Sequence, residues 1–526
     1  MSILIFGGGI AGLTAAHELL DKGFNVTLIE EENLLGGMAK SRREIKNVPS
    51  EHSWRGFAPF YKNTFNIMKR IPISNSKKTV YDNLNLTKPL NFYLLKDKIA
   101  NYQITPNFLD YIYLFYYGSK YIFSNKRKEL FYKEKLVPLL KNKLSKNGYD
   151  YIIQFTIGPG IGMEKKDASY AHFYKVVIAQ MLSGNKNWYV TNQPTNEAWF
   201  NYWEKYLIKK GLKIFKNVKL IKFNLNNDSL NIKSCLIKDK NTNQIITLKA
   251  DDYILAINPF EAEEILKKSN LNNTQYKLLN FSVYSNQISF RLGFNKKIKF
   301  PFNNIAFAMP DSEFDITWYP QDSNFNKNIN LGNNIKSLWS GTIIDPYSLS
   351  SLYHKPGLKL NKKQLLNEII YQLLRSKSLQ KLIYDNNGFY LNKNDITYNE
   401  IWHEWYYDKK NDILKENDKK WVNNIYNEQY RPSQKTNIKN LYLAGAHTKT
   451  TINIWSMEGA VESGKIVANL ILDKYNKNKT YLYKHNDPIY FNIFKTLDDI
   501  LYTLNLPSII DTLLIIIITI LIIYYF

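Results

Sequence analysis

Residues 1–30 constrain this chain more tightly than any other stretch. The run 2–6 (SILIF) is short, continuous and apolar, the pattern of a parallel strand buried on both faces. It leads straight into Gly7-Gly8-Gly9-Ile10-Ala11-Gly12, which satisfies G-x-G-x-x-G. Ile10, Leu13, Ala16 and Leu20 then share one helical face, and Gly23 stands where such a helix ends. A second strand over 25–29 delivers Glu30. In this arrangement Gly7 permits a tight turn, Gly9 lets backbone approach a pyrophosphate, and Gly12 lets helix and strand pack closely. Ile10 and Ala11 open the helix, whose unpaired N–H groups and partial positive charge suit phosphates. Glu30, eighteen residues past Gly12, is placed to accept hydrogen bonds from ribose hydroxyls. The glycines alone say little. Strand, glycines, helix, strand and acid in that order point to an adenine dinucleotide held by an α/β fold.

At 526 residues the chain has room for two or three domains and a large core. Its net charge of +24 raises the question of an anionic partner. The basic residues are spread along the whole chain among Asn, Ile and Tyr, with no compact arginine-rich motif and no zinc spacing. A compositional bias explains the charge more simply, so neither nucleic acid nor a metal is expected. Cys235 is the single cysteine and lies in a probable strand, which excludes an intramolecular disulfide and fits a reducing compartment. No removable leader is expected, because the first strand begins at residue 2.

The far end differs. Residues 512–526 (TLLIIIITILIIYYF) carry no charge and span about 22 Å as a helix. Extended back to Ser508, past Asp511, the stretch reaches about 28 Å, near the ~30 Å hydrocarbon thickness. Lys474, Lys477, Lys479, Lys484 and Lys495 precede it. The expectation is a C-terminal membrane anchor with the body on the cytoplasmic side. The alternative, a buried terminal element, would need enclosure on every face.

Further motifs follow Glu30. Gly36-Gly37-Met38 fits a loop passing under a cofactor, and Ser50-Glu51-His52-Ser53-Trp54-Arg55-Gly56-Phe57 comes next. Together these strings resemble the FAD-dependent amine oxidase and phytoene desaturase superfamily, with the desaturase-like branch most similar. Pro194-Thr195-Asn196-Glu197-Ala198-Trp199-Phe200, leading to Val218, resembles the family's return to the nucleotide domain, where a valine backbone meets the adenine. Residues 251–259 and 287–292 resemble later strands of the family. Ala444-Gly445-Ala446-His447-Thr448 and Trp455-Ser456-Met457-Glu458-Gly459-Ala460 resemble the segment that closes over the flavin. The resemblance implies non-covalent FAD held by Gly7, Gly9, Ile10, Ala11, Gly12, Glu30, Gly36, Gly37, Met38, Val218, Gly445, His447, Met457 and Ala460. The helix starting at Met457 would aim its N-terminus at the flavin's pyrimidine end. Three positions depart from the family. His447 stands near where an acid usually bonds the ribityl chain, Glu32 stands where an arginine is common, and Met38 replaces Arg or Lys.

The implied fold is α/β: a discontinuous Rossmann-type FAD-binding domain (1–75, 191–260, 431–475) with an interleaved mixed-sheet and helical substrate domain (76–190, 261–430). A linker (476–507) and the hydrophobic helix (508–526) would complete it. Within 76–190, the run 108–117 (FLDYIYLFYY) with Lys126-Arg127-Lys128 reads as a core helix with a solvated charged end; the other reading is a lipid-touching surface. Gly158-Pro159-Gly160-Ile161-Gly162 reads as a loop. Catalytic candidates are Trp455, His52 and His403, the last within an aromatic cluster at 401–407, with Glu51 beside His52; His17 reads as a structural histidine. The expected activity is FAD-dependent oxidation, or desaturation, of an apolar, lipid-like or isoprenoid molecule by hydride transfer to flavin N5, with an unspecified electron acceptor. Alternatives are an amine oxidase, since Trp455-Ser456 resembles that branch, a flavin-dependent isomerase, and a non-catalytic lipid carrier resembling Rab GDP-dissociation inhibitors.

Overall fold

The structure is a computed structural model that describes all residues except 44, 53–54, 74–75, 88–90, 98–104, 155–162, 185–186, 228, 272–283, 304 and 526. Ser53, Trp54 and the glycine loop at 158–162 therefore lie outside the described residues.

The first 30 residues form the strand Ser2–Phe6, the helix Ile10–Leu20 and the strand Asn25–Ile29. A parallel five-stranded sheet grows from them in the order 441–443, 252–255, 2–6, 25–29, 213–215. Alternation along the first strand shows why SILIF is apolar throughout. Ile3 and Ile5 join the core under the helices, whereas Leu4 and Phe6 join a second core on the opposite face. That second core is closed by the helix Pro259–Lys268 and a three-stranded antiparallel sheet, 218–225, 232–239 and 245–248. The helix Met457–Lys474 packs on Ile10–Leu20, and a Cβ at Gly464 would come 2.5 Å from the Ala11 carbonyl oxygen. Both termini of the sequence thus build one domain.

A six-stranded sheet, ordered 396–401, 288–294, 337–343, 316–320, 305–309, 91–94, forms the facing layer. Its register puts Phe290, Leu292, Trp318 and Trp339 on the side that packs on the helices Lys362–Arg375 and Lys377–Asn387. The other side carries Ser289, Arg291, Thr317, Tyr319, Ser340 and Thr342. A sheet with one apolar and one polar face needs something polar beside it. Several of these residues bound the cavity described below.

The structure departs from expectation in three ways, two of them in the C-terminal region. Residues 476–507 are not a bare linker, because they contain the helix Asn492–Thr503. The apolar tail is the helix Ile509–Tyr525, about 26 Å long at ~1.5 Å per residue. Among the described residues no helix is long and apolar enough to cross a membrane, so the expected transmembrane anchor is not supported. Nor is the tail buried, since nearly every side chain from Leu513 to Tyr525 is exposed.

The third departure is the aromatic run. The helix Phe108–Ile122 is capped by Asn107 and Asp110, which faces inward. Phe108, Leu109, Tyr111, Ile112 and Phe115 are exposed, Phe108 at 77% and Phe115 at 69%. Only its inner face, with Tyr121, Leu114, Tyr117 and Ile122, packs on the core. Its Tyr116 and Lys120 hold Asp511 at the start of the tail helix. The helix Asn492–Thr503 is turned the same way. Lys495 and Asp498 are buried, while Ile493, Leu497, Ile500 and Leu504 face solvent. Three neighbouring helices therefore present an apolar platform, with charged groups beneath it rather than upon it.

Candidate functional site

One cavity of about 1800 Å³ runs between the two sheets. A drug-sized ligand needs about 300–1,000 Å³, so there is room for a dinucleotide and a substrate together. Gly7, Gly9, Ile10, Ala11, Glu30, Gly36, Gly37, Met38, Val218, Gly445, His447, Met457 and Ala460 all line it. Gly12 does not, because its place is behind the turn, where a Cβ would collide with the Gly7 carbonyl oxygen.

The nucleotide end is built from backbone. Gly7 turns at φ +102°, and Gly9 bridges to Gly36, so the two glycine loops lie side by side. Asn196 fixes the second loop: its Oδ1 accepts from Ser41 N at 2.6 Å, and its Nδ2 donates to Leu35 O at 3.1 Å. The Glu30 carboxylate accepts from Gly8 N at 2.6 Å and Glu32 N at 2.9 Å, which leaves acceptor sites for ribose hydroxyls. Burial raises its pKa. Glu32, where the resemblance implies an arginine, is answered from two residues on the same loop: Lys40 donates to it at 2.7 Å and Arg42 pairs with it. Lys40 and Arg42, both paired with Glu32, line the cavity there. Met38 is matched similarly, since Arg55 donates to its carbonyl at 2.7 Å.

The ring end is built by the C-terminal segment. Ser456 caps the helix by accepting from Gly459 N at 3.1 Å, leaving Met457 at the first turn. Glu458 is wholly buried and ties this helix to the helix Lys62–Met68. It accepts from Asn63 N, Asn63 Nδ2, Thr64 N and Thr64 Oγ1 at 2.7–2.9 Å. His447 is buried with its pKa pushed down to about 3 by burial and by the Arg431 charge, so its imidazole is neutral. Arg431 donates to Ala446 O at 2.8 Å and lies 4.1 Å over Trp421, whose ring is parallel to Trp455 at 6.2 Å. These contacts fix the loop on which Gly445 and His447 sit.

The wall opposite comes from the second sheet and the segment after it. His52, Arg55, Tyr319 and Lys420 line the cavity here. His52 Nε2 is 3.5 Å from Glu416, whose carboxyl burial pushes up to about 8. Lys420 Nζ donates to Gln287 O at 3.2 Å, and burial lowers its pKa. The His52 pKa is likewise held well below its usual value by burial and nearby cations. Of the sequence candidates, His52 and Trp455 reach the cavity. His403 does not: it pairs with Glu404 at 2.8 Å, while its neighbour Trp402 turns to His52. Glu51 is a fastening residue that accepts from Thr195 N at 2.8 Å. His17 is structural, buried with its Nδ1 accepting from Trp203 Nε1 at 3.1 Å. Three site residues, Tyr319, Lys420 and Arg431, lie outside the quoted sequence motifs, and Arg55 lies within one.

From the polar end the cavity continues into an apolar arm lined by Leu114, Phe115, Ile122, Tyr174, Val177 and Ile178, and by Tyr111 and Phe491. The arm thus reaches the platform helices.

Comparison with known proteins agrees with this arrangement. The NAD(P)-binding Rossmann-like domain family matches residues 5–71, and the flavin containing amine oxidoreductase family matches residues 422–472. Zeta-carotene desaturase of Zea mays is 33% identical over 76 residues, covering 14% of this chain and 13% of the desaturase. An iron-sulfur subunit of the CoB–CoM heterodisulfide reductase of Methanopyrus kandleri is 58% identical over 50 residues, 10% of this chain and 7% of that protein. The chain thus matches only about a tenth of the length of these curated relatives. Among solved structures, an oxidoreductase from Methanosarcina mazei superposes with a TM-score of 0.58 at 12% identity, covering 89% of this chain and 99% of the other. Putrescine oxidase, solved with putrescine bound, gives 0.57 at 11% identity over 90% and 99%. These likenesses establish a shared fold.

Proposed function

We propose that this chain, whose fold and matched segments are those of the FAD-dependent amine oxidase and carotenoid desaturase superfamily, is an oxidoreductase that holds FAD non-covalently and oxidises an apolar, lipid-like molecule. One observation carries the reading: residues from both ends of the sequence, Gly9 and Met457 among them, line a single cavity with an apolar arm. The residues present fit the cofactor. The backbone cradle at Gly7–Gly9 and the helix N-terminus behind it suit a diphosphate, with Lys40 and Arg42 at hand. Glu30 retains acceptor capacity for the ribose, and neutral His447 would take the ribityl contact that the family's acid makes.

FAD bound there supplies two-electron oxidation by accepting a hydride equivalent. The chain's own residues do the rest. The apolar arm orients the substrate and excludes water, and Trp455 walls the reacting end. Desaturation also releases a proton, and Lys420, which lines the cavity and whose pKa burial lowers, would accept it at Nζ. The apolar platform seats the protein on a membrane surface, lying in its plane rather than crossing it, so an apolar substrate enters the arm from the lipid.

The Trp455 ring, which lines the cavity, favours a second reading, amine oxidation, because aromatic faces attract cations. Anaerobic mixing of the flavin-loaded protein with lipid extracts and with amines separates the two. Bleaching of the flavin by lipids alone supports the first, and bleaching by amines alone overturns it. A colourless protein that takes up no FAD would leave only a lipid carrier. Lys420→Met is expected to slow bleaching about 100-fold with flavin content unchanged.

A further inference from the structure

A second, smaller cavity of about 590 Å³ lies outside the site described above, lined by Lys175, Thr451, His485, Asn486, Asp487, Ile489, Asn492 and Lys495. Its lining carries two lysines and one acid. Asp487 accepts from Lys128 at 2.6 Å and from Lys495 at 2.7 Å. Lys175 is a third cation at the same place, and it donates to the His485 carbonyl at 2.9 Å. Three ammonium groups thus surround one carboxylate. Of the other acids nearby, Glu462 accepts from Thr451 N, Thr451 Oγ1 and Ile452 N and also acts on Lys175, Glu458 faces His485 at 2.9 Å, and Asp499 accepts from Lys126 N. Burial lowers the Lys175 pKa to about 8, with Asp487 and Glu462 acting to raise it and Lys128 and Lys495 to lower it.

Location supplies the second argument. The rim residue Ile489 is 83% exposed, and Tyr490 beside it is 67% exposed. Both adjoin the outward apolar row of the helix Asn492–Thr503. A pocket of lysines bordered by exposed apolar side chains matches a molecule with an anionic head and a hydrocarbon tail.

We propose that this pocket receives the phosphate of an anionic membrane lipid, with Lys175 and Lys495 as its ligands and Asn486 and Asn492 beside them. The proposal rests on the membrane-surface reading given above. Bound phosphate fixes the platform's depth and orientation, so that the apolar arm faces the bilayer.

The test is co-flotation of the full-length, FAD-loaded protein with vesicles of phosphatidylcholine alone and vesicles also containing phosphatidic acid. Phosphatidic acid is expected to strengthen binding. Lys175→Gln/Lys495→Gln should weaken binding to those vesicles roughly 30-fold, at about 1 kcal/mol per lysine. Binding to phosphatidylcholine alone should be unchanged. Lys409→Gln/Lys410→Gln, an equal charge change on an exposed turn, should cost much less. Lys175→Arg/Lys495→Arg should restore binding and show that the glutamine pair fails through charge, with flavin content confirming the fold. Inorganic phosphate in the buffer should compete if the pocket reads phosphate itself. Flotation that ignores phosphatidic acid, or a glutamine pair no worse than the control, overturns this proposal alone. Absence of flotation on every vesicle overturns the membrane reading as well.

Discussion

The two ends of the large cavity are built by opposite rules. At the nucleotide end, apolar side chains point into cores on both faces of the parallel sheet, and the Glu30 carboxylate meets backbone donors. At the platform end, Lys495 and Asp498 point inward while Ile493, Leu497 and Ile500 point out. Both patterns are amphipathic. The first needs only the rest of the chain to explain it, and the second needs a partner outside the chain. A helical moment therefore tells which residues share a face, but not what that face meets.

The contrast can be broken first at Gly12. Gly12→Val forces a side chain into the Gly7 carbonyl, and the expected result is loss of nearly all bound flavin, measured as absorbance per protein. Next is Glu458→Ala, which leaves the Asn63 and Thr64 donors buried without an acceptor. It should cost about 3–5 kcal/mol, read from urea unfolding. A smaller effect concerns Glu416, whose carboxyl stands at about 8 in the folded protein against 4.5 ordinarily, with Lys420, His52, Asp418 and Glu404 around it. The folded state holds a proton that the unfolded chain has released. Stability from this group is thus present below pH 4.5 and is lost as pH rises toward 8, by at most about 1.4 kcal/mol per pH unit. Glu416→Gln should flatten that part of the stability–pH curve. Smallest in stability is Ile493→Ser/Leu497→Ser/Ile500→Ser, which should shift unfolding by no more than about 0.5 kcal/mol per site yet abolish vesicle flotation. A large loss of stability in solution would mean that these side chains pack on the protein after all.

The nucleotide end is legible in the sequence because its constraints are local. Gly7, Gly12 and Glu30 act within one strand–helix–strand unit, and Met457 opens a helix with its own cap. Lys420 and Tyr319 escape such a reading because their relevance comes only from the cavity they line, and no short motif surrounds either. His403 misleads for a simpler reason. Adjacent residues near a strand end face opposite ways, and it is Trp402 that turns to His52. The pattern of 108–117 is enough to make it a helix, but its outward aspect depends on Asp110 being buried against Ser145, a contact made across the fold.

The order of strands in the parallel sheet also bears on biosynthesis. Strand Asp252–Leu255 is flanked by Ser2–Phe6, made long before it, and by Leu441–Leu443, made nearly two hundred residues later. While the ribosome works through that interval, one side of the half-built sheet offers unpaired amides to any passing chain. A chaperone, or slow elongation, has work to do there before the last strand arrives.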